Sequence, residues 1–206
     1  MNCPLCQSQK VNSIMADYFL CEICDLRFLT PKRHLTKEQE QARYMLHQNL
    51  DSDPDYIRFF TPLVEAITSM NPLGSVGLDF GSGPSPVLAR FLRNLGYKIL
   101  CYDPFFNPDT EPLNEVYDFA YACEVIEHFY SPAQEFTCLK RLLKPGGTLA
   151  LMTHIYSDEI NFDTWYYRKD PTHVVFYSTK TFSWICKTFS FKDLRIHSHR
   201  VVTLKN

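Results

Sequence analysis

Three features of this chain predict an α/β fold with a mostly parallel sheet. Residues 76–88 read VGLDFGSGPSPVL: an apolar run suited to a buried strand stops at an acidic residue, and a glycine turn and an apolar helical pattern follow. The strand signal recurs at Ile99–Tyr102, which ends in Asp103, at Asp118–Glu124, and after the turn Leu143-Lys144-Pro145-Gly146-Gly147. Helical patterns lie between most of these segments. Strands that alternate with helices pair in parallel, and such sheets take ligands at the carboxyl ends of their strands.

The N-terminal residues 1–30 read as a separate unit. Cys3-Pro4-Leu5-Cys6 and Cys21-Glu22-Ile23-Cys24 are two C-x-x-C knuckles with residues 7–20 between them. Four thiolates at this spacing, Cys3, Cys6, Cys21 and Cys24, can close a tetrahedral zinc site, and about 30 residues need such a staple because they bury too little core to fold alone. Cys101, Cys123, Cys138 and Cys186 stand singly in apolar runs and read as core residues. Residues 31–72 read as a helical linker and cap. There Thr36 and Gln39 form a capping-box pair that opens a helix running to about His47. Asp53-Pro54 opens a second helix, on which Ile57, Phe60, Leu63, Val64 and Ile67 share a face. Lys32, Arg33 and Lys37 read as a solvated hinge.

Residues 73–206 then hold the main domain. Its elements are a strand over 75–80, a helix over 85–95 stopped by Gly96, and strands over 97–102 and 117–123. A helix over 132–143 begins at Ser131-Pro132 and a strand over 147–153 follows. A long loop comes next, then a helix near 179–189 capped by Ser178, and strands near 191–197 and 201–205 close the sheet as an antiparallel hairpin.

Composition narrows the function. The 206 residues are 45% hydrophobic and carry a formal charge of −2, which argues against a strongly electrostatic nucleic-acid or membrane binder. The start MNCPLCQSQK has no apolar leader core, and no segment approaches 18 apolar residues. A soluble, cytoplasmic protein is expected. Cysteines in a reducing compartment then mean metal ligation and buried thiols rather than disulfides.

Gly81 and Gly83 permit a tight turn against a ligand, and the helix that starts beside them offers N–H donors to an anion. The D-x-G-x-G turn at Asp79–Gly83, the acidic strand end at Asp103, the Glu124-Val125-Ile126-Glu127-His128 segment and the L-K-P-G-G turn occur in the order found in the class I S-adenosylmethionine-dependent methyltransferases, and the chain resembles that family over 74–153. The resemblance implies a Rossmann-like sheet and a site for S-adenosylmethionine. In it Asp79 supports the turn, and Gly81, Ser82, Gly83 and Ser85 face the methionine carboxylate. Asp103 takes the ribose diol, Pro104 and Phe105 wall the adenine, and Cys123 and Glu124 lie beside the transferring methyl. Residues 104–117 are too few for the helix, strand and connection that the family usually places there, so that strand is expected to be reduced or missing. Phe105, Phe106 and Asn114 are the available substitutes at the adenine.

No Asn-Pro-Pro-Tyr or Asp-Pro-Pro-Tyr stands after the fourth-strand segment. Cys123-Glu124-Val125 is closer to the small-molecule O- and C-methylating branch, such as the ubiquinone-type methylases. W-x-Y-x-x-D-P-T-H-V, at Trp165–Val174, is similar to bacterial methyltransferases with an N-terminal zinc ribbon. The acceptor is expected between a wall at Tyr44 to Asn49, with Tyr44 and His47, and the long loop 155–177. His154, Trp165 and Tyr166 are its candidate substrate contacts, and His128, Asp170 and His173 its candidate catalytic groups. Long loops of this kind usually act as lids.

Glu124, Glu127 and His128 stand at i, i+3 and i+4, which one helical turn would bring to one face. E-x-x-E-H resembles the divalent-metal motif of ubiquinone-type O-methylases and small-RNA 2′-O-methylases, and His173 is the candidate fourth ligand. Magnesium, manganese or zinc would suit that set. The alternative has Glu124 on the cofactor, Glu127 solvated and His128 or His173 as general base. Three functions remain open at this level: methylation of a small-molecule or carrier-bound acceptor, methylation of RNA gripped by the ribbon, and non-enzymatic binding of S-adenosylmethionine.

Overall fold

The computed structural model describes residues 1–46 and 53–206. His47, an expected acceptor contact, lies outside the described residues. The ribbon contributes β1 (Val11–Met15), β2 (Tyr18–Cys21) and β3 (Arg27–Leu29). The cap holds α1 (Lys37–Tyr44) and α2 (Pro54–Met70). The main domain follows as β4 (Val76–Phe80), α3 (Val87–Asn94), β5 (Lys98–Tyr102), β6 (Tyr117–Cys123), α4 (Pro132–Arg141) and β7 (Leu143–Met152). It closes with β8 (Val175–Phe176), α5 (Thr179–Thr188), β9 (Lys192–Ile196) and β10 (Val201–Lys205).

Six described strands form the main sheet in the order β5-β4-β6-β7-β10-β9. β5, β4, β6 and β7 run parallel, and β10 is antiparallel to both β7 and β9. Period-two alternation splits the core between the two faces. Phe119 and Tyr121 of β6 pack with α2 and α3, while Ala120 and Ala122 face the layer that holds α4 and α5. The local signals were strong where side chains cap the backbone. Thr36 and Gln39 form the capping box of α1, Asp53 accepts from the N–H groups of Asp55 and Tyr56, and Ser178 with Thr181 caps α5.

Two boundaries differ from expectation. α3 starts at Val87 rather than at residue 85, because Ser85 precedes Pro86 and a residue before proline is pushed out of the helical region. β7 reaches back to Leu143 and so takes in the Lys-Pro-Gly-Gly stretch; Tyr117 pairs with Leu143 across a register shift, a bulge that absorbs the positive φ of Gly146. Residues 104–116 hold a 3-10 turn at Glu111–Asn114 and an isolated bridge from Asn107 to Asp103, and no described strand pairs with the outer side of β5.

A second sheet has the order β1-β2-β3-β8 and crosses the boundary at residue 30. Arg27 pairs with Phe176 and Phe28 with Val175, so the long loop supplies the last strand of the ribbon. Much of that loop is packed. Tyr156, Phe162, Trp165, Tyr167 and Phe176 form a buried aromatic cluster beneath it.

Candidate active site

Parallel registry brings the carboxyl ends of β4, β5 and β6 to one edge, where Phe80 lies opposite Tyr102 and Asp79 opposite Tyr121. A cavity of about 1070 Å³ opens there. Asp79, Gly81, Ser82, Gly83, Ser85, Asp103, Pro104, Phe105, Cys123 and Glu124 line one part of it; Tyr44, His128, Tyr166, Asp170 and His173 line another.

The glycine turn is locked onto β5. The Gly81 and Ser82 N–H groups donate to the Tyr102 carbonyl at 2.8 and 3.1 Å. The Gly83 N–H donates to Asp103 Oδ2 at 2.8 Å, and Asp103 Oδ1 accepts from the N–H groups of Phe105 and Phe106 at 2.8 and 3.0 Å. The turn's first three donors are thus spent on its own geometry, and the Val87 N–H donates to the Ser85 carbonyl at 2.8 Å; an anion here would turn to the Ser85 N–H and the helix start beyond Val87. Gly81 has φ +85°, and a Cβ on it would lie 2.6 Å from the Val125 side chain, so glycine is required twice over. Beneath the turn, burial pushes the Asp79 carboxyl up to about 7, and the nearby Asp103 charge adds to the effect. Phe105 and Phe106 line the cavity beside Asp103, whereas Asn114 is exposed and away from it.

An aromatic row runs from this end to the other. Tyr44 meets Phe105 and His128 edge-on at 5.5 and 5.2 Å, His128 lies 4.8 Å from His173, and His173 lies 4.2 Å from Tyr167. α1 is tied across it by Arg43, which donates to Asp170 Oδ2 at 2.6 Å. Burial would raise the Asp170 carboxyl, but hydrogen bonds from Thr172 and Arg43 outweigh it and hold the group well below the usual carboxylate range. Asp170 is thus held as a carboxylate between Arg43 and Thr172.

Glu127 is wholly buried. Its Oε1 accepts the Tyr167 hydroxyl, and its Oε2 has no hydrogen-bond partner among the described residues. Beside it, His128 Nδ1 lies 2.9 Å from the Thr172 carbonyl and His173 Nδ1 lies 2.7 Å from the Tyr167 carbonyl. A carbonyl can only accept, so both imidazoles carry their proton on Nδ1 and keep the Nε2 lone pair. Burial keeps both rings neutral, His173 with a pKa of about 3. One ligand atom from each of Glu127, His128 and His173 falls within 4.8 Å of the others. An unpartnered buried carboxylate oxygen beside two neutral imidazoles, each oriented by a backbone carbonyl, is a donor set that fits a divalent cation.

Glu124 does not join that cluster as expected. Residues 126–128 make a short 3-10 turn, and Glu124 precedes it at φ +53°, so the helical face assumed from i, i+3 and i+4 does not form. Its carboxylate faces Arg200 at 3.4 Å. Burial and the neighbouring Glu127 both raise the Glu124 carboxyl. Trp165 and His154 are also corrected. Trp165 is buried among Tyr156, Phe162, Tyr167 and Phe176, and neither residue lines the cavity. His154 reaches it through Tyr166, whose hydroxyl is 3.1 Å from its Nδ1, and Tyr167, whose ring centre is 5.5 Å away. Arg200 is the residue that sequence reasoning missed. It donates to the Tyr166 hydroxyl at 2.6 Å, and its guanidinium sits 5.3 Å from the Phe59 ring centre. It arrives from the β9–β10 connection, and nothing in its local sequence marks it.

In the ribbon the four knuckle sulfurs converge. Cys3 and Cys24 Sγ are 3.5 Å apart, Cys6 and Cys21 Sγ are 3.3 Å apart, and all four lie within 4.8 Å of one another. A tetrahedron with Zn–S near 2.3 Å has edges of about 3.8 Å, so the cluster is compatible with a zinc ribbon. The knuckles repeat each other: the Gln7 N–H donates to the Cys3 carbonyl and the Asp25 N–H to the Cys21 carbonyl, with Gln7 and Asp25 both at positive φ.

Residues 31–196 match the model of a family described as a methyltransferase domain. No curated protein sequence matches the chain. Among solved structures it is similar to a SAM-dependent methyltransferase from Aquifex aeolicus (16% identity, 80% of this chain and 96% of that one covered, TM-score 0.52). It is also similar to an O-methyltransferase family protein from Burkholderia thailandensis (13% identity, 73% and 56% covered, TM-score 0.52) and to CalO1, a methyltransferase of calicheamicin biosynthesis in its SAH-bound form (10% identity, 73% and 54% covered, TM-score 0.53). The chain thus spans little more than half the length of the last two, and at these identities the likeness speaks for the fold. No helix among the described residues is long and apolar enough to cross a membrane. With its family model, its sheet order and its glycine turn in agreement, the chain belongs to the class I S-adenosylmethionine-dependent methyltransferases.

Proposed function

We propose that this enzyme methylates a hydroxyl group of a small-molecule acceptor, with Glu127, His128 and His173 holding a divalent ion at the acceptor end of the cavity. The observation that carries the reading is the continuity of one cavity from the Gly83–Asp103 turn to the two neutral imidazoles beside the unpartnered Glu127 oxygen. S-adenosylmethionine supplies a methyl group already activated on a sulfonium. The remaining work for the protein is to orient the acceptor and to withdraw its proton.

Phe105 and Phe106 would cover the adenine, and Asp103 keeps one lone-pair site for the ribose beyond its three backbone bonds. Glu127, His128 and His173 would hold magnesium, manganese or zinc, and such an ion lowers the pKa of a hydroxyl bound to it. Tyr44, Tyr166 and Arg200 would contact the acceptor, because they line the cavity at that end. Cys3, Cys6, Cys21 and Cys24 would hold a structural zinc ion.

The test is labelled methyl transfer from S-adenosylmethionine to separate metabolite and RNA pools, before and after chelation and with ions added back. Label in small molecules that disappears in chelator and returns with a divalent ion is expected. Full transfer in chelator would remove the ion and leave His128 or His173 as general base, and label in the RNA pool alone would overturn the small-molecule acceptor.

A further inference from the structure

The ribbon shares a buried apolar cluster with Phe80 and Phe129 at the cavity edge, and its strand pairing to the main domain falls on the segment that carries His173. β8 has two residues, and its ladder partner in the ribbon is β3. The Leu29 N–H donates to the Val174 carbonyl at 2.8 Å, and the Val174 N–H donates to the Glu127 carbonyl at 2.9 Å. The residue between Thr172 and Val174 is His173, and the Thr172 carbonyl is the one that orients His128. The zinc knuckle reaches the same strand from its other end. Asp25, the residue after Cys24, accepts the Ser178 hydroxyl at 2.5 Å. Arg27 is buried with its guanidinium carbon 3.6 Å from the centre of the Tyr156 ring, and Tyr18 meets Phe162 edge-on at 5.4 Å. Among the described residues no hydrogen bond, ion pair or ring contact joins residues 1–30 to the turn at 81–85 or to 103–106.

We propose that the four-cysteine ribbon acts in cis as a buttress for the acceptor half of the active site, with Asp25, Arg27 and Phe28 as positioning residues for the His173 segment. The ribbon cannot hold this position without its metal. Its strands are three to five residues long, β1 is largely exposed, and so small a unit depends on metal binding for its folding free energy. Loss of the knuckle removes the ladder partner of β8 and the anchors on Ser178 and Tyr156 together. The Gly81–Asp103 turn keeps its own hydrogen bonds to β5. Zinc loss therefore loosens residues 172–178 and leaves the cofactor turn intact. That 172–178 belongs to the acceptor end rests on the function proposed above; the mechanical link does not.

The experiment compares the zinc-loaded chain with Cys21→Ser and with wild type stripped by a thiol-directed mercurial, zinc release being measured. Amide exchange over 172–178 and over 76–104, S-adenosylhomocysteine affinity, and Trp165 emission in a Trp184→Phe background are read in each. Protection at 174–176 is expected to fall by about tenfold or more, while exchange over 76–104 and the affinity hold within about twofold. Trp165, packed 5.5 Å from Phe176, should shift to the red and return when zinc is restored to the stripped chain. Unchanged exchange at 174–176, an unmoved Trp165, or loss of cofactor affinity in both zinc-free forms would each overturn the buttress, the last by showing that zinc holds the whole fold. A zinc-loaded protein that labels no small molecule would overturn the proposed acceptor, while the exchange result still decides the link.

Discussion

The Gly83 N–H and Asp103 Oδ2 are 2.8 Å apart, and this side-chain hydrogen bond joins the turn after β4 to the residue that follows β5. The same carboxylate accepts from Phe105 and Phe106, so Asp103 shapes both the glycine turn and the Phe105–Phe106 wall of the cavity. Asp103→Ala therefore unfastens two loops and, on the proposed reading, removes the ribose contact. Charge-assisted bonds contribute about 1.5–3 kcal/mol each, so calorimetry should show S-adenosylmethionine affinity falling at least about tenfold. Asp103→Asn, which keeps one acceptor oxygen, should fall between. An unchanged dissociation constant for Asp103→Ala would sink the assignment.

Asp79 makes cofactor binding pH-dependent. Its carboxyl in the free protein is raised by burial to about 7, from 3.8. A cationic cofactor above it favours the carboxylate, so binding releases a proton below that value, and affinity climbs as pH rises towards 7 and levels off beyond it. Titrations in buffers of different ionisation enthalpy will count the proton, and Asp79→Asn should abolish it. The sign for stability is opposite. Because the folded value lies above the unfolded one, the contribution of this group to the cofactor-free fold is full below about 4 and lost as pH rises through about 7.

Gly81→Ala should destabilise the fold even without ligand. The new methyl would sit 2.6 Å from Val125 at φ +85°. Strain of this kind costs roughly 2 kcal/mol, which for a chain of this size lowers Tm by about 4–8 °C. A melting temperature equal to wild type would show that the turn relaxes freely.

Metal analysis should find about one zinc per chain, held by the four knuckle thiolates and lost in Cys21→Ser. Wild-type protein purified without zinc but with ordered β1–β3 would count decisively against the site.

Arg200→Gln should separate the two ends of the cavity. It removes the cation beside the half-buried Glu124, whose carboxyl is raised by burial and by the nearby Glu127, and releases the Tyr166 hydroxyl. S-adenosylhomocysteine affinity is expected to stay within about twofold, while methyl transfer falls by about tenfold or more, since truncating one partner of a desolvated pair disturbs what remains around it. Equal losses in both would place Arg200 on the cofactor instead.

What the sequence determined by itself is the part written in short-range chemistry. Asp53, Thr36 and Ser178 cap helices through bonds that span two or three residues, and those helices start where the caps predict. The alternation at 117–123 separates two core faces because side chains on a strand can point only two ways. Gly81, Gly83 and Asp103 were legible because the turn and the strand end are short motifs, and the paired C-x-x-C knuckles because each spacing sets its own local loop. The stretch after Asp103, set against the length usual in the resembled family, announced a reduced or missing strand, and no described strand lies outside β5.

Tertiary structure decided the rest. Glu124 turned away from Glu127 and His128 because it takes a positive φ at the strand end and meets Arg200, 76 residues further on. Trp165 looked like a pocket wall but went inward, since Phe162 and Phe176 offer it more apolar contact than an open cavity does. Asp170 takes one hydrogen bond from Arg43 because α1 lies across it, and β8 became a strand because the ribbon presented β3. Arg200 for Glu124, Phe176 for Trp165, Arg43 for Asp170 and β3 for β8 each come from another element of the fold. No local propensity encodes such a pairing, and it exists only once the fold has closed the loops between the two residues.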